Sequence, residues 1–209
     1  MTESNERMEL FAVYYTDQEK LGIILDNILI MMSNRVFIDG ENTKPLINLS
    51  QARKEVKNAG ESTWTVRADN GVMYAIKVVF QKVTTIGKQS PISDFARDYD
   101  NSYRKIVVAS DYNKKIIDWA KSNNAQIFKE SALMMDIIKY IDQPEFKVLS
   151  PNEAKQYMDE YNVTEYMIKK INNQDPIYKY YDLKKGDVLR IKRPSPASGE
   201  AIDYRMAKN

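Results

Sequence analysis

Residues 70 to 93 contain no Asp or Glu, and within them Val72 to Val83 is dense in β-branched and aromatic side chains. Such a run reads as a strand buried in a sheet. A buried strand obliges the rest of the chain to supply neighbours and covering helices. The Asp69-Asn70-Gly71 triplet just before it is a turn signal, because Asn and Gly tolerate the positive φ of tight turns. Thr63 to Arg67, ahead of the triplet, alternates as a strand does, so the two segments predict a hairpin.

Helical signals surround it. Leu21, Ile24, Leu25, Ile28, Leu29 and Met32 recur at i, i+3, i+4 and i+7, giving one stripe of an amphipathic helix that faces a core or a partner. Thr16 and Glu19 are spaced to form its capping box. After Asp39-Gly40 the chain is polar as far as Ser62, with a helix expected around Leu49 to Lys57. Ser90-Pro91-Ile92-Ser93-Asp94 opens a further helix through Phe95 and Tyr99. A strand at Lys105 to Ala109, a helix at Ile116 to Ala120, a short strand at Gln126 to Phe128 and a helix at Leu133 to Ile141 follow. Strands alternating with helices predict an α/β layer arrangement for residues 1–141. Asp142-Gln143-Pro144 breaks the pattern and marks a boundary, leaving residues 142–209 as a second domain.

That second part is sharply punctuated. Phe146 to Leu149 reads as a short strand, and Ser150-Pro151-Asn152-Glu153 combines an N-cap Ser, Pro at the first helical position and Glu at N3. The helix runs through Ala154, Tyr157, Met158 and Tyr161, and Asn162 closes it. A second short helix is expected from Thr164. Asp175-Pro176 begins a tight turn or helix, Lys185-Gly186-Asp187 turns into a strand at Val188 to Ile191, Pro194 to Gly199 makes a loop, and Ala201 to Met206 is a closing strand. The expectation is a small α+β domain.

Composition removes several kinds of chemistry. The chain has no Cys and no His, so disulfides, thiolate metal sites, Cys nucleophiles and the usual near-neutral general base are all excluded. The longest nearly apolar stretch, Leu21 to Met32, is interrupted by Asp26 and Asn27 and is too short to span a bilayer, so no membrane segment is expected. The N-terminus carries neither a basic nor an apolar leader region, which implies an intracellular protein. Residues 147–209 hold 12 Lys and Arg against 9 Asp and Glu, and residues 1–146 hold 19 against 20. Neither part is basic enough to hold nucleic acid by charge alone, so any DNA contact is expected to be local and weak.

The run from Asp175 through Pro176, Tyr178, Tyr180, Tyr181, Gly186, Asp187 and Val188 to Arg190 and Ile191 resembles the hallmark of one family, the fifth common subunit of eukaryotic nuclear RNA polymerases and the archaeal H subunit. Its continuation from Arg193 through Ser195 and Gly199 to Tyr204 and Arg205 is similar to that family's ending, and Leu149-Ser150-Pro151 occupies the place of its leucine-Thr/Ser-Pro helix. Over residues 1–141 the likeness is looser. Arg104 to Ala109, Phe128 and Glu130-Ser131-Ala132-Leu133 look like the end of the eukaryotic jaw domain, which the archaeal subunit lacks. The chain departs from the pattern at Phe146, where a His is usual, at Asp182, where a Gly is usual, and at Asn113-Lys114-Lys115, where a Thr-Pro is usual. These departures suggest a divergent member from a large nucleocytoplasmic DNA virus. A viral protein would act in the host cytoplasm at the virus factory and in the virion, a cellular one in the nucleus.

The resemblance implies a non-catalytic polymerase subunit. Its jaw domain would have restriction-nuclease-like layers without an active site and would flank downstream double-stranded DNA, while its C-terminal assembly domain docks on the largest subunit and its neighbours. No cofactor is implied on this chain, the Mg²⁺ belonging to the polymerase's largest subunit. The partner-binding candidates are Asp175, Pro176, Tyr178, Tyr180, Gly186, Asp187, Arg190, Arg193, Ser195, Gly199, Tyr204 and Arg205. Several have plain structural readings beside that one. Asp175 reads as an N-cap before Pro176 at N1, Gly186 and Gly199 as turn residues with φ > 0, the tyrosines as core or interface, and the basic residues as a solvated strand face or as partners for carboxylates. Lys77, Lys82, Lys88, Arg97, Arg104, Lys114 and Lys115 are the candidates for sequence-independent phosphate contacts. A free-standing transcription adaptor with the same docking domain is an alternative. A nuclease is disfavoured, because the strand bearing Lys77 offers no carboxylate to hold a metal.

Overall fold

A computed structural model describes residues 14–40, 42–87, 90–140 and 142–208. The chain opens with helix α1 (Asp17–Asn34), whose capping box is as the spacing predicts: the Thr16 hydroxyl accepts from the Glu19 N–H at 3.3 Å, and the Glu19 carboxylate accepts from the Thr16 N–H at 2.7 Å. The buried face is wider than one stripe, since Ile30 and Met31 are buried together with Ile24, Ile28, Leu29 and Met32. The polar stretch after Asp39 contains more structure than expected. Strands β1 (Val36–Asp39) and β2 (Asn42–Pro45) pair as a hairpin, helix α2 (Leu49–Glu55) stops before Lys57, and β3 (Lys57–Gly60) takes up Lys57 as a strand. These strands are largely exposed, so they lack the hydrophobic alternation that would reveal them.

β3 starts a five-stranded sheet completed by β4 (Thr63–Arg67), β5 (Met73–Val83), β6 (Tyr103–Tyr112) and β7 (Ala125–Lys129), in the order β3-β4-β5-β6-β7. The β4–β5 hairpin is present, with Trp64 opposite Ile76 and Val66 opposite Tyr74. β5, β6 and β7 are parallel, and helices α3 (Pro91–Asp98) and α4 (Lys114–Ser122) make the two crossovers. Both pack on one face: Ile92, Phe95, Ile116 and Ala120 share a cluster with Ala75, Val79, Val107, Ala109 and Ile127. The residues between them, Tyr74, Ile76, Val78, Ile106, Val108 and Phe128, join the opposite cluster with α1 and α2. The apolar run of β5 is thus explained by burial on both faces, as for parallel strands generally.

Leu133 to Ile141 is not one helix. Helix α5 (Glu130–Leu133) ends early and a 3₁₀ turn occupies Ile137–Lys139. Asp136 separates them, extended at φ −81°, ψ 107° and capping the Ile138 N–H at 3.1 Å. A side chain that competes for backbone donors in this way breaks a helix. Ile141 lies outside the described residues.

The rest builds a four-stranded sheet from β8 (Glu145–Val148), β9 (Lys169–Asn172), β10 (Val188–Ser195) and β11 (Gly199–Lys208), ordered β8-β10-β11-β9. Helix α6 (Pro151–Glu160) has a complete capping box between Ser150 and Glu153 and packs through Ala154, Tyr157 and Met158 onto Ile168, Val188 and Met206. The helix expected at Thr164 is a turn closed by the Met167 N–H on the Thr164 carbonyl, after which β9 buries Ile171 and pairs parallel with β11. The loop expected at Pro194 to Gly199 is tighter, because Pro194 and Ser195 continue β10 and a three-residue turn over 196–198 leads into Gly199 (φ 73°), the first residue of β11. The other face of this sheet is not solvated. Leu189, Ile191, Ile171 and Ala207 enter the same cluster as α1, together with Tyr180, Tyr181 and Leu183. Chain before and after residue 142 therefore shares one core. The overall class is mixed α/β with several sheets, and no described helix is long and apolar enough to cross a membrane.

Burial in this shared core pushes the Tyr181 hydroxyl up from 10.0 to about 12, and Tyr180 is raised by the same cause. A folded-state value above the unfolded one means that stabilisation is intact below the unfolded value and fades as pH climbs through the folded one. Chemical denaturation from pH 8 upward should show stability falling between about pH 10 and about pH 12, and Tyr181→Phe should make that fall shallower.

Candidate functional site

The hallmark segment is organised by its own short-range hydrogen bonds. Asp175 caps helix α7 (Pro176–Tyr180), its Oδ1 accepting from the Ile177 N–H at 2.8 Å with Pro176 at N1. Asp187 closes the next turn by accepting from the Lys184 N–H at 2.7 Å. Gly186 adopts φ 96°, a conformation that side chains disfavour. Burial raises the Asp187 carboxyl, with the Lys184 bond opposing that shift. Ser195 accepts from the Ser198 N–H at 3.4 Å in the β10–β11 turn.

The candidate partner-binding residues divide by exposure. Tyr180 is buried, and Tyr178 is half-buried beside the four-stranded sheet's core. Tyr204 stacks on Tyr157 with ring centroids 3.8 Å apart, so α6 covers one of its faces. Arg190 is half-buried in a shallow pocket with Glu153, Tyr157 and Glu160. Arg205 lies at 3.5 Å from Asp203. Arg193, Pro176, Gly186 and Gly199 are exposed. Arg193 is the cation of this set most available to another protein.

A denser polar cluster sits where the two sheets meet. Arg35, only 2% exposed at the end of α1, donates from Nε to the Tyr180 carbonyl at 2.7 Å and from Nη2 to the Lys179 carbonyl at 3.1 Å. It thereby satisfies carbonyls at the C-terminus of α7, where a helix has unpaired acceptors and partial negative charge. Asn34 donates to the Tyr180 hydroxyl at 2.8 Å, and that hydroxyl donates to Asp136 at 3.3 Å. Asp182 follows at φ 51° and reaches the five-stranded sheet, accepting from Arg104 at 2.6 Å and from Gln126 at 2.5 Å. Burial lowers the Arg35 guanidinium and the Asp182 charge opposes that shift. Burial acts likewise on Arg104, where Asp182 and Tyr74 outweigh it and leave the group raised.

The candidate phosphate contacts are in different situations. Lys77 is half-buried and donates to the Glu61 carbonyl at 2.7 Å, and burial lowers its ammonium. Lys82 pairs with Asp111 at 3.2 Å and Arg97 with Asp94 at 2.9 Å. Arg104 is committed to Asp182 rather than presented to solvent. Lys114 and Lys115 are exposed in the first turn of α4, with no carboxylate within ion-pair distance among the described residues. Lys88 lies outside the described residues.

A metal-dependent nuclease would need clustered carboxylates, and the C-terminal ends of β6 and β7 carry two, Asp111 and Glu130, each engaged by its own partners. Asp111 holds Lys82 at 3.2 Å and Lys129 at 2.8 Å, and Glu130 holds Lys20 at 2.9 Å and Ser110 at 3.1 Å. Each carboxylate is thus taken up by lysine ammonium groups, with Ser110 adding a hydroxyl to Glu130. Among the described residues no three acidic side chains converge as a metal site. Hydrogen bonds from Lys129 and Lys82 bring the Asp111 carboxyl down to about 2.

The comparisons with known proteins converge. Residues 135–207 match the family model described as RNA polymerase Rpb5, C-terminal domain. DNA-directed RNA polymerase subunit 5 of Acanthamoeba polyphaga mimivirus is 43% identical over 198 residues, covering 94% of this chain and 96% of that protein. The chain belongs to the RNA polymerase subunit 5 family. The Dictyostelium discoideum protein named DNA-directed RNA polymerases I, II, and III subunit rpabc1 is 26% identical over 162 residues, 78% of this chain and 66% of that one. Subunit Rpo5 of the archaeon Methanosphaera stadtmanae is 38% identical over 74 residues, 35% of this chain and 96% of that one.

Sequence reasoning missed Arg35, Asn34, Gln126 and Asp136, because each acts on a residue that is distant in the chain. Asp182 did carry a signal, since an acidic residue stood at a position where the family usually has Gly.

Two measurements test this cluster and the pairing of Asp111 with Lys82 and Lys129. Asp182→Asn tolerates the same backbone but loses the charge, and should destabilise the fold by about 1–2 kcal/mol in urea. Asp182→Gly should lose less, because it also relieves φ 51°. A double-mutant cycle with Arg104→Gln should return most of the Asn effect as coupling. The side-chain carboxyl carbon of Asp111, followed by NMR, should titrate near 2. Its ion pairs should persist as pH falls below the ordinary carboxylate range and separate only toward that midpoint, and Lys82→Ala with Lys129→Ala should move the midpoint up.

Proposed function

We propose that this chain is a non-catalytic subunit of a multisubunit DNA-directed RNA polymerase. The observation that carries the reading is the 43% identity spanning nearly all of both this chain and a viral polymerase subunit 5. An adaptor that had borrowed the docking domain alone would not be expected to match over 94% of its length. The same relative supports an origin in a large DNA virus.

In this reading residues 142–209 form the assembly domain and residues 1–141 the jaw domain. The strands of the four-stranded sheet all lie within residues 145–208 and those of the five-stranded sheet within 57–129, which supports the division. The exposed turn at Lys184 to Gly186 and the exposed far end of β10 at Arg193 dock on the largest subunit and its neighbours. Arg193, Lys184 and Lys185 are exposed there, and an exposed guanidinium suits bidentate pairing with a partner carboxylate. The jaw steadies downstream duplex by weak, sequence-independent contacts with phosphates, for which Lys114 and Lys115 are the best-placed cations. Nucleotide addition and its Mg²⁺ belong to other subunits. The saturation of Asp111 and Glu130 by three lysines argues that the layers carry no nuclease chemistry.

The division of labour is testable by co-purification. Arg193→Glu should reduce recovery of the chain with the largest subunit, whereas Lys114→Glu with Lys115→Glu should leave recovery intact and weaken duplex binding by the assembled polymerase at low salt. Arg190→Glu is a poorer probe, because Arg190 also contacts the α6 side of the sheet. Equal recovery of all variants would count against docking through this strand.

A further inference from the structure

The two edges of the five-stranded sheet are treated differently. β3 is blunted by a register shift between Asn58 and Gly60, one of the ordinary ways a sheet protects an edge. β7, at the other end, pairs with β6 in unbroken parallel register from Ala125 to Lys129. The Lys105 N–H donates to the Asn124 carbonyl at 3.0 Å. By the alternation of a parallel ladder, this turns the backbone groups of Gln126 and Phe128 toward β6 and those of Ala125 and Ile127 outward.

What lies outside that edge is a groove of about 740 Å³ between α4, β7 and the segment from Asn173 to Asp182. Its size falls within the ~300–1,000 Å³ typical of ligand sites. Ile117, Ala120 and Ile127 contribute apolar surface, and Tyr112 and Tyr178 add rings with hydroxyls. The Tyr112 hydroxyl donates weakly to the Ile127 carbonyl at 3.4 Å, and the outward Ile127 N–H has no partner strand, since β7 pairs only with β6 among the described residues. Free charge at the rim is mainly positive. Lys114, Lys121 and Lys179 line it with no ion pair among the described residues, while Asp182 is already held by Arg104 and Gln126, leaving Asp118 as the uncommitted carboxylate.

We propose that this groove receives an extended, acidic segment of a partner polypeptide, which adds to β7 as a further strand. Its backbone pairs with the outward N–H groups of Ala125 and Ile127, and its carboxylates meet Lys114, Lys121 and Lys179. Main-chain pairing supplies affinity in this mode, while alternate side chains and charge supply selectivity. The proposal stands apart from the docking strand at Arg193 but shares Lys114 with the proposed phosphate contacts, so duplex DNA is one arm of the test.

The test uses the full chain and a fluorescent peptide alternating valine and glutamate. Three outcomes support the proposal: saturable anisotropy, slowed amide exchange at Ala125 and Ile127 on adding the peptide, and affinity lowered about tenfold by Lys121→Glu with Lys179→Glu at unchanged thermal stability. The same peptide N-methylated at alternate residues should bind weakly, because it cannot complete the ladder. Equal binding of a valine-lysine peptide, unchanged exchange at β7, or displacement of the peptide by duplex DNA at physiological salt would each overturn it. The last would assign the groove to nucleic acid.

Discussion

Asp182 is one carboxylate facing two arginines, and the junction between the sheets depends on it. Arg104 approaches from β6 at 2.6 Å, and the charge of Asp182 opposes the desolvation of Arg35, which is almost wholly buried. Two buried or half-buried guanidiniums without a nearby anion would be expensive, since isolated charge in a low-dielectric interior is strongly disfavoured. The backbone pays a small local cost in return, because a non-glycine residue at φ 51° gives up about 1 kcal/mol or more. At a position where Gly would be conformationally ideal, the acidic side chain gives a contact across the junction that Gly cannot make.

The junction is apolar as well as charged. Strands β5 and β6 send alternate residues to opposite clusters, and the cluster on the α1 side continues without interruption into Tyr180, Tyr181, Leu183, Leu189 and Ile191. Neither sheet could expose that face to water without uncovering large aliphatic and aromatic side chains, each worth roughly 1.5–3 kcal/mol of burial. Arg35 adds direction to this non-directional term. By capping the carbonyls of Lys179 and Tyr180 it fixes how α7 meets the end of α1, which hydrophobic contact alone would leave free to slide.

Signals within a few residues of one another were legible in the sequence, whereas long-range ones were not. The capping boxes at Thr16 and Ser150, the Asp175-Pro176 start, the Asp69-Asn70-Gly71 turn and the doubly covered strand at 73–83 all follow from local chemistry, and each is present. The exposed strands at 36–45 and 57–60 bury too little to produce a period. Asp136 falls inside the run expected to be helical, yet its side chain ends that run. Of the candidate site, the hallmark residues were visible by resemblance, but the partners that hold them in place were not. Asn34, Arg35 and Tyr180 meet across about 145 residues of chain, a separation over which no spacing rule operates.

The same long-range bonds constrain what the surface can do. Asp182 and Gln126 both line the groove beside β7, and their hydrogen bond ties the segment after α7 to β7 there. Were the junction loose, the outward edge of β7 would be a generic aggregation hazard rather than a selective surface. Arg104, Gln126 and Arg35 are all tied to the segment from Lys179 to Asp182, and Lys114, Lys121 and Lys179 line the same groove. An extended chain entering that space meets a prepared edge and pays little for rearranging it, which is the condition under which backbone pairing yields useful affinity.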